Sequence, residues 1–276
     1  MEETIPIEIG RFFIEKGKEV FGFSIITTGQ KGEISQLAHI FSDRKLNIIY
    51  MTSSYRKREE KRPWIFFMVD FTGSKFKPED IVNEINKLEF VESVRLIKPI
   101  KNGIFVDSIH FPIIVGGERS IIFRVSIIDG LINTLKRQLG EAGRAFLYHE
   151  GFRVGRNLYK TYKNWLKKED PHLLSKIITV MSRVLGYGIA EVAELSMENK
   201  EAKIIIYDSF ERRTAIEKDE QKHNFIRGIL AGFFTEIFKI LTVAKETQCP
   251  EDFEKPCIIH VFPKEKEIYY SSVLVE

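Results

Sequence analysis

The sequence predicts an α+β protein of two domains, and three observations carry the prediction. The chain has 276 residues, more than one hydrophobic core usually organises, so two domains is the expected number. Between Val20 and Lys98 the segments run strand, helix, strand, strand, helix, strand. Beyond residue 120 the pattern turns helical and then returns to strand-like runs.

The elements of the first half follow in order. VFGFSIITT, from Val20, is a β-branched and aromatic run stopped by Gly29-Gln30-Lys31-Gly32. Ile34, Leu37, Ala38 and Phe41 then recur at helical spacing. LNIIYMTSS and WIFFMVDFT read as two strands joined by the charged stretch Arg56 to Pro63, a solvated hairpin tip for which nucleic-acid or partner contact is the minor reading. Lys77-Pro78-Glu79-Asp80 opens a second helix, with proline near its start and acids in its first turn. Ile81, Ile85 and Leu88 form its apolar stripe, and VESVRLIK is the fourth strand. This order is the ferredoxin-like βαββαβ arrangement. The first domain is expected over residues 1–98 with its core at 20–98, and Pro99 to Arg119 reads as the inter-domain connection.

The second domain is expected over residues 120–276. Ser126 with Asp129 is an acidic variant of the capping box, ahead of the stripe Ile128, Leu131, Ile132 and Leu135. The next helix, running to about Trp165, contains Gly143, Gly151 and Gly155. Each costs about 1 kcal/mol against alanine, so they imply close approach of another backbone. A third helix carries Leu173, Ile177, Met181 and Val184. IAEVAELSM and AKIIIYDSF read as strands, Ile216 to Ile240 as a long helix, and LTVAKE, CIIHVF and IYYSSVLV as closing β-rich segments.

Composition excludes several function classes. The 42 basic and 39 acidic residues nearly cancel, to +3, too even a balance for direct nucleic-acid binding by counterion release. No stretch approaches the ~20 apolar residues that span a bilayer, and Phe225 to Leu241 is broken by Arg227, Glu236 and Lys239. The N-terminal residues lack the apolar core of a signal peptide. A cytoplasmic protein without membrane partners is expected. His149-Glu150-Gly151-Phe152-Arg153 lacks the second histidine of a metalloprotease helix. There is no phosphate loop and no Gly-x-Ser-x-Gly elbow. Any chain this long contains Ser, His and Asp residues, so none is singled out as a triad, and no catalytic residue is expected.

His223, Glu246, Cys249 and Cys257 form the candidate metal site. The cysteines flank a seven-residue loop with two prolines between two strand-like segments. A hairpin can bring two thiolates to one tetrahedral ion, with a carboxylate from three residues earlier and a histidine from the preceding helix. The bland alternatives are buried, inert thiols or a disulfide.

Two resemblances sharpen these readings. With its Gly-containing loop and Asn47-Ile48 entering the second strand, the first domain resembles the ACT family of regulatory domains. ACT loops usually carry an acidic residue and a proline before the second glycine. Thr28-Gly29-Gln30-Lys31-Gly32 has neither, so the fold is implied but amino-acid binding is not. The second half, with GEAGRAFLYHEGFRVGRNL, GYGIAEVAEL, YDSF, HNFIRGILAGFF and ETQCPEDFEKPCIIHVF in that order, resembles the 4-vinyl reductase domain over roughly Gly103 to Glu276. The pairing of the two points to an archaeal protein. This second resemblance implies an α/β hydrocarbon-binding fold related to vesicle-tethering subunits and to the sensor modules of phenol-responsive activators. It implies a structural zinc on His223, Glu246, Cys249 and Cys257, although Phe253 stands where the family has a glycine. It also implies a cavity for an apolar or aromatic ligand near Tyr187, Tyr207 and Phe210, with Tyr148 and Phe152 as further candidates. The expected function is a non-catalytic small-molecule sensor, a homodimer signalling to a separate effector protein. The alternatives are an accessory subunit of a reductase and a dimeric scaffold.

Overall fold

A computed structural model of the chain describes residues 5–55, 62–213 and 222–266. The chain divides into two compact units, Met1–Ile121 and Ile122–Glu276.

The first unit contains β1 (Phe12–Ile14), β2 (Val20–Thr27), α1 (Glu33–Ser42), β3 (Asn47–Tyr55), β4 (Pro63–Asp70), α2 (Pro78–Ile85), β5 (Val91–Ile97), β6 (Ile104–Val106), β7 (Ile113–Val115) and β8 (Glu118–Ser120). Its main sheet is antiparallel in the order β3-β4-β2-β5, the ferredoxin-like order expected from the sequence. On one face Phe23, Ile25, Ile65, Phe67 and Val69 pack with Leu37, Phe41, Ile81 and Ile85 of the helices. The other face is covered too, which is why β4 reads as an unbroken apolar run. There Phe105 of β6 is fully buried in a cluster with Val20, Phe66, Met68 and Ile97. Gly22 makes this possible, because a Cβ there would lie 2.7 Å from the Phe105 ring. β6 pairs with β1, in register Phe12↔Val106 and Ile14↔Ile104. The stretch read from the sequence as a connection is therefore folded onto the first unit; its Gly103 and the short strands β6 to β8 carry no long periodicity. Residues 56–61 of the charged hairpin tip lie outside the described residues.

The second unit contains α3 (Val125–Leu139), α4 (Glu141–Leu166), α5 (Pro171–Val184), β9 (Ile189–Ser196), β10 (Glu201–Tyr207), α6 (Phe210–Arg213), α7 (Asn224–Phe238), β11 (Thr242–Gln248) and β12 (Cys257–Pro263). Its antiparallel sheet has the order β11-β12-β10-β9. Ala202, Ile204, Ile206, Ala244, Ile259 and Val261 alternate onto one face and bury against Ile226, Ile229, Leu230, Phe233 and Phe234 of α7. α4 lies on the outer side of α7, and four glycines set their separation. A Cβ at Gly151 would meet the carbonyl oxygen of Phe225 at 2.1 Å, and one at Gly155 that of Ile229 at 2.0 Å. Reciprocally, a Cβ at Gly228 would meet the Tyr148 carbonyl oxygen and one at Gly232 that of Phe152, each at 2.0 Å. The close approach inferred from the α4 glycines is thus a backbone-on-backbone crossing. Gly143 serves the α3–α4 corner in the same way, since a Cβ there would lie 2.4 Å from the Leu135 carbonyl oxygen.

Two boundaries differ from the sequence reading. α3 begins two residues earlier, with Arg124 at the N-cap, so Ser126 sits inside the first turn and does not cap it. α7 begins at Asn224, not near Ile216, and residues 214–221 lie outside the described residues. The closing segment IYYSSVLV also lies outside them.

Candidate functional site

Where α7 begins, a polar cluster interrupts the apolar face. Alternation along β11 and β12 turns Glu246 and Cys257 inward, beside Ala244 and Ile259. His223, the residue before α7, is fully buried. Its Nδ1 bonds the Glu246 carboxylate, and its Nε2 lies 2.6 Å from Ser209 Oγ. Glu246 also accepts the backbone N–H groups of Lys222 at 3.0 Å and His223 at 3.2 Å. Burial acts to raise the Glu246 pKa. The His223 contact, the Lys222 N–H and nearby Arg227 outweigh it and hold the carboxyl below its ordinary range. An ionised carboxylate only accepts, so Nδ1 is the ring nitrogen that donates to Glu246.

Cys249 directly follows β11 and Cys257 opens β12; the two are joined as a disulfide with Cα atoms 4.1 Å apart. Ligand atoms of His223, Cys249 and Cys257 all lie within 4.8 Å of one another. In the dithiol form this S₂N donor set suits zinc. Glu246 then stands behind the imidazole as an orienting carboxylate, the usual outer partner of a metal-bound histidine. So the structure gathers three of the four expected ligands as donors and holds the fourth one step back. Disulfide and metal are alternative uses of the same sulfurs.

Two residues that the sequence reading passed over build this corner. Arg212 is 3% exposed and donates to the carbonyls of Lys255 and Asp252, each at 2.7 Å, and to that of Pro250. It thereby clamps the loop between the cysteines, with Phe253 over its guanidinium at 4.6 Å. Glu211 is fully buried and accepts the N–H groups of Asn224, Phe225 and Ile226 at 2.7, 2.8 and 2.9 Å. It satisfies the first-turn donors of α7, which otherwise have no intrahelical partner. Both follow directly on the Tyr-Asp-Ser-Phe stretch at 207–210, the one sequence signal that marked the place.

A second feature lies between α4, α5, α7 and the sheet. A void of about 40 Å³ is lined by Leu158, Tyr162, Ile178, Ala190 and Ile226, with Tyr187 among them. Burial raises the Tyr187 pKa, and its hydroxyl makes no hydrogen bond among the described residues. Phe210 stacks edge-on against Tyr187, ring centroids 5.7 Å apart. Of the five aromatic candidates only Tyr187 lines the void. Tyr148 accepts the Ala244 N–H at 3.1 Å beneath Arg227, Phe152 packs in the glycine crossing, and Tyr207 ends β10.

Comparison with known proteins adds the following. No family model matches the chain. Over 105 residues it is 28% identical to an uncharacterized protein, MJ1460, of Methanocaldococcus jannaschii. That stretch is 38% of this chain and 64% of the relative, so the chain spans less than two thirds of the relative's length. Among solved structures it is similar to the phenol-responsive sensory domain of the transcription activator PoxR, with 16% identity, 73% of this chain and 99% of that one covered, and a TM-score of 0.48. It is also similar to a vinyl-4-reductase family protein from Methanocaldococcus jannaschii, at 22% identity, 51% and 82% coverage and a TM-score of 0.37. An ACT domain from the GTP pyrophosphokinase of Chlorobium tepidum is similar at 16% identity, 29% and 99% coverage and a TM-score of 0.24. The fold assignment rests on the strand orders and registers above. Among the described residues no helix is long and apolar enough to cross a membrane.

Proposed function

We propose that the chain is a regulatory protein whose second unit takes an apolar or aromatic small molecule and relays its presence to a separate effector protein. The observation that supports this most is the void at Tyr187: largely apolar walls, with the Thr179 and Ser182 hydroxyls turned to backbone carbonyls, and a Tyr187 hydroxyl that has no protein partner among the described residues. Such a hydroxyl is the polar handle that orients a ligand in an apolar site. Its volume of about 40 Å³ is below the ~150 Å³ that holds benzene in an engineered cavity, so α5 must shift to admit a ring. Gly186 and Gly188, with φ of 75° and 143°, follow α5 and supply the turn about which it can move. Binding would thereby differ between two conformations, the condition for a ligand to act as a signal. Exposed Ile127, Leu131 and Leu139 on α3 and Phe146 on α4 support a homodimer built on this face. His223, Cys249 and Cys257 in the dithiol form would hold a zinc, with Glu246 orienting the imidazole behind it. The smallness of the void favours a second reading, a dimeric scaffold with a filled core.

Native mass spectrometry with elemental analysis on the purified, reduced chain tests the proposal. Expected are one zinc per chain, lost in His223→Ala, and an apolar compound retained by or exchangeable into the wild type. Zinc without any small molecule would leave the scaffold reading, and neither would remove both assignments.

A further inference from the structure

The first unit has its own polar constellation, unconnected with the second-unit site. On the sheet face opposite α1 and α2, Ser24 lies in the middle of β2, half-buried. Its Oγ is 2.8 Å from His110 Nε2, and His110 Nδ1 is 3.0 Å from Asp107 Oδ1. Asp107 is buried; its Oδ1 also takes the N–H groups of Ile109 and His110, both at 3.2 Å. Arg11 pairs with Oδ2 at 3.1 Å. Burial acts to raise the Asp107 pKa, but His110 and these N–H groups keep the carboxyl below its ordinary range. The His110 ring is held between Trp64, stacked with centroids 4.3 Å apart, and the edge of Phe66 at 5.1 Å. Ser24, His110 and Asp107 all border one open cavity of about 1410 Å³.

The hydrogen-bond directions follow from the chemistry. An ionised Asp107 accepts, so Nδ1 carries the imidazole proton and Nε2 accepts from the Ser24 hydroxyl. The Ser24 proton is thus turned to the base, and its lone pairs remain for the cavity. Ser, His and Asp are linked here in the order, and within the distances, that activate a serine. Arg95 stands directly opposite Ser24 in the β2–β5 ladder, so its side chain shares that face. It borders the same cavity and makes no ion pair among the described residues. A guanidinium beside the nucleophile can stabilise a developing oxyanion. Ile26, Ile34 and Trp64 add apolar wall on that side.

From this geometry we propose that Ser24 is a nucleophile toward activated esters or thioesters of aliphatic or aromatic carboxylic acids, with His110 as its base and Asp107 as the positioning residue. Ser24 Oγ forms a bond to the acyl carbon while its proton passes to His110 Nε2. The bond from that carbon to the leaving oxygen or sulfur breaks, and the leaving group takes the proton from Nε2. Water, deprotonated by His110, then attacks the acyl-serine and releases the carboxylic acid and free Ser24.

The test uses the full chain with a fluorophosphonate probe and with para-nitrophenyl acetate, followed by peptide mapping. Expected are one phosphonyl adduct per chain on Ser24 and a stoichiometric burst of nitrophenolate. Ser24→Ala should lose both, and His110→Gln should slow them by about 10²-fold, the usual worth of a positioned base. Circular dichroism and the Tm of each variant separate loss of chemistry from loss of fold. An unlabelled Ser24 in folded wild type, or labelling at an unchanged rate in folded His110→Gln, would overturn the proposal.

Discussion

Replacing Gly155 by valine is expected to unfold the second unit. The new Cβ would sit 2.0 Å from the Ile229 carbonyl oxygen and 2.8 Å from the Phe233 nitrogen. These are backbone atoms of α7, which cannot rotate away as a side chain would. Relief requires moving α4 off α7 by more than an ångström along a crossing that three other glycines also fix. The cost is of the exceptional kind, above ~4–5 kcal/mol, against a typical domain stability of about 5–15 kcal/mol. Gly130 on α3 supplies the control, because a Cβ there meets nothing within 4 Å. Gly130→Ala should stabilise by about 1 kcal/mol through helix propensity alone. Thermal or urea unfolding followed by circular dichroism separates the two. A Gly155→Val protein with wild-type stability would mean that the helices are not held at backbone contact.

Removing the Glu211 carboxylate is expected to have the next largest effect. Glu211→Ala would leave three N–H groups at the start of α7, two of them buried, without their acceptor. A hydrogen bond to a charged group contributes roughly 1.5–3 kcal/mol, and the charge also lies at the positive end of the helix. Because the three bonds share one carboxylate they will not add fully, and a loss of about 3–5 kcal/mol is expected. Glu211→Gln, which keeps one carbonyl acceptor and removes the charge, should fall between alanine and wild type. The readout is urea unfolding together with hydrogen exchange at residues 224–226. If their protection were unchanged in Glu211→Ala, the carboxylate would not be the cap.

How far the sequence reveals these features depends on how local their causes are. The ferredoxin-like order was legible because each strand and helix of residues 20–97 carries its own periodicity and punctuation. The α4 glycines announced a close crossing, since a glycine mid-helix has a cost that must be offset somewhere. The partner of that crossing, Gly228 and Gly232, could be named only once α7 was in place. The metal reading of His223, Glu246, Cys249 and Cys257 leaned on a resemblance; hairpin spacing by itself favours inert thiols or a disulfide over a metal site. That Glu246 orients His223 depends on the inward alternation of β11 and on where α7 begins, neither visible in spacing. Glu211 and Arg212 look like ordinary surface charges in the sequence and are buried because backbone groups from two other segments, the start of α7 and the loop between the cysteines, converge on them. Ser24, Asp107 and His110 are the extreme case. They are brought together by the folding back of β6 over the sheet, a step with no local signal except the unusually apolar β4 and the small Gly22 beneath Phe105.

The proposed function requires that the second unit admit a ring at Tyr187. Titration of the intact chain with phenol, followed by the shifts of amide signals in two-dimensional NMR, measures this directly. Saturable shifts centred on α5, Tyr187 and Ala190 are expected, together with their loss in Ala190→Phe, which fills the void without touching the hydrogen-bonded cluster at His223. Wild-type spectra that do not change with phenol, or shifts that persist undiminished in a folded Ala190→Phe variant, would contradict it.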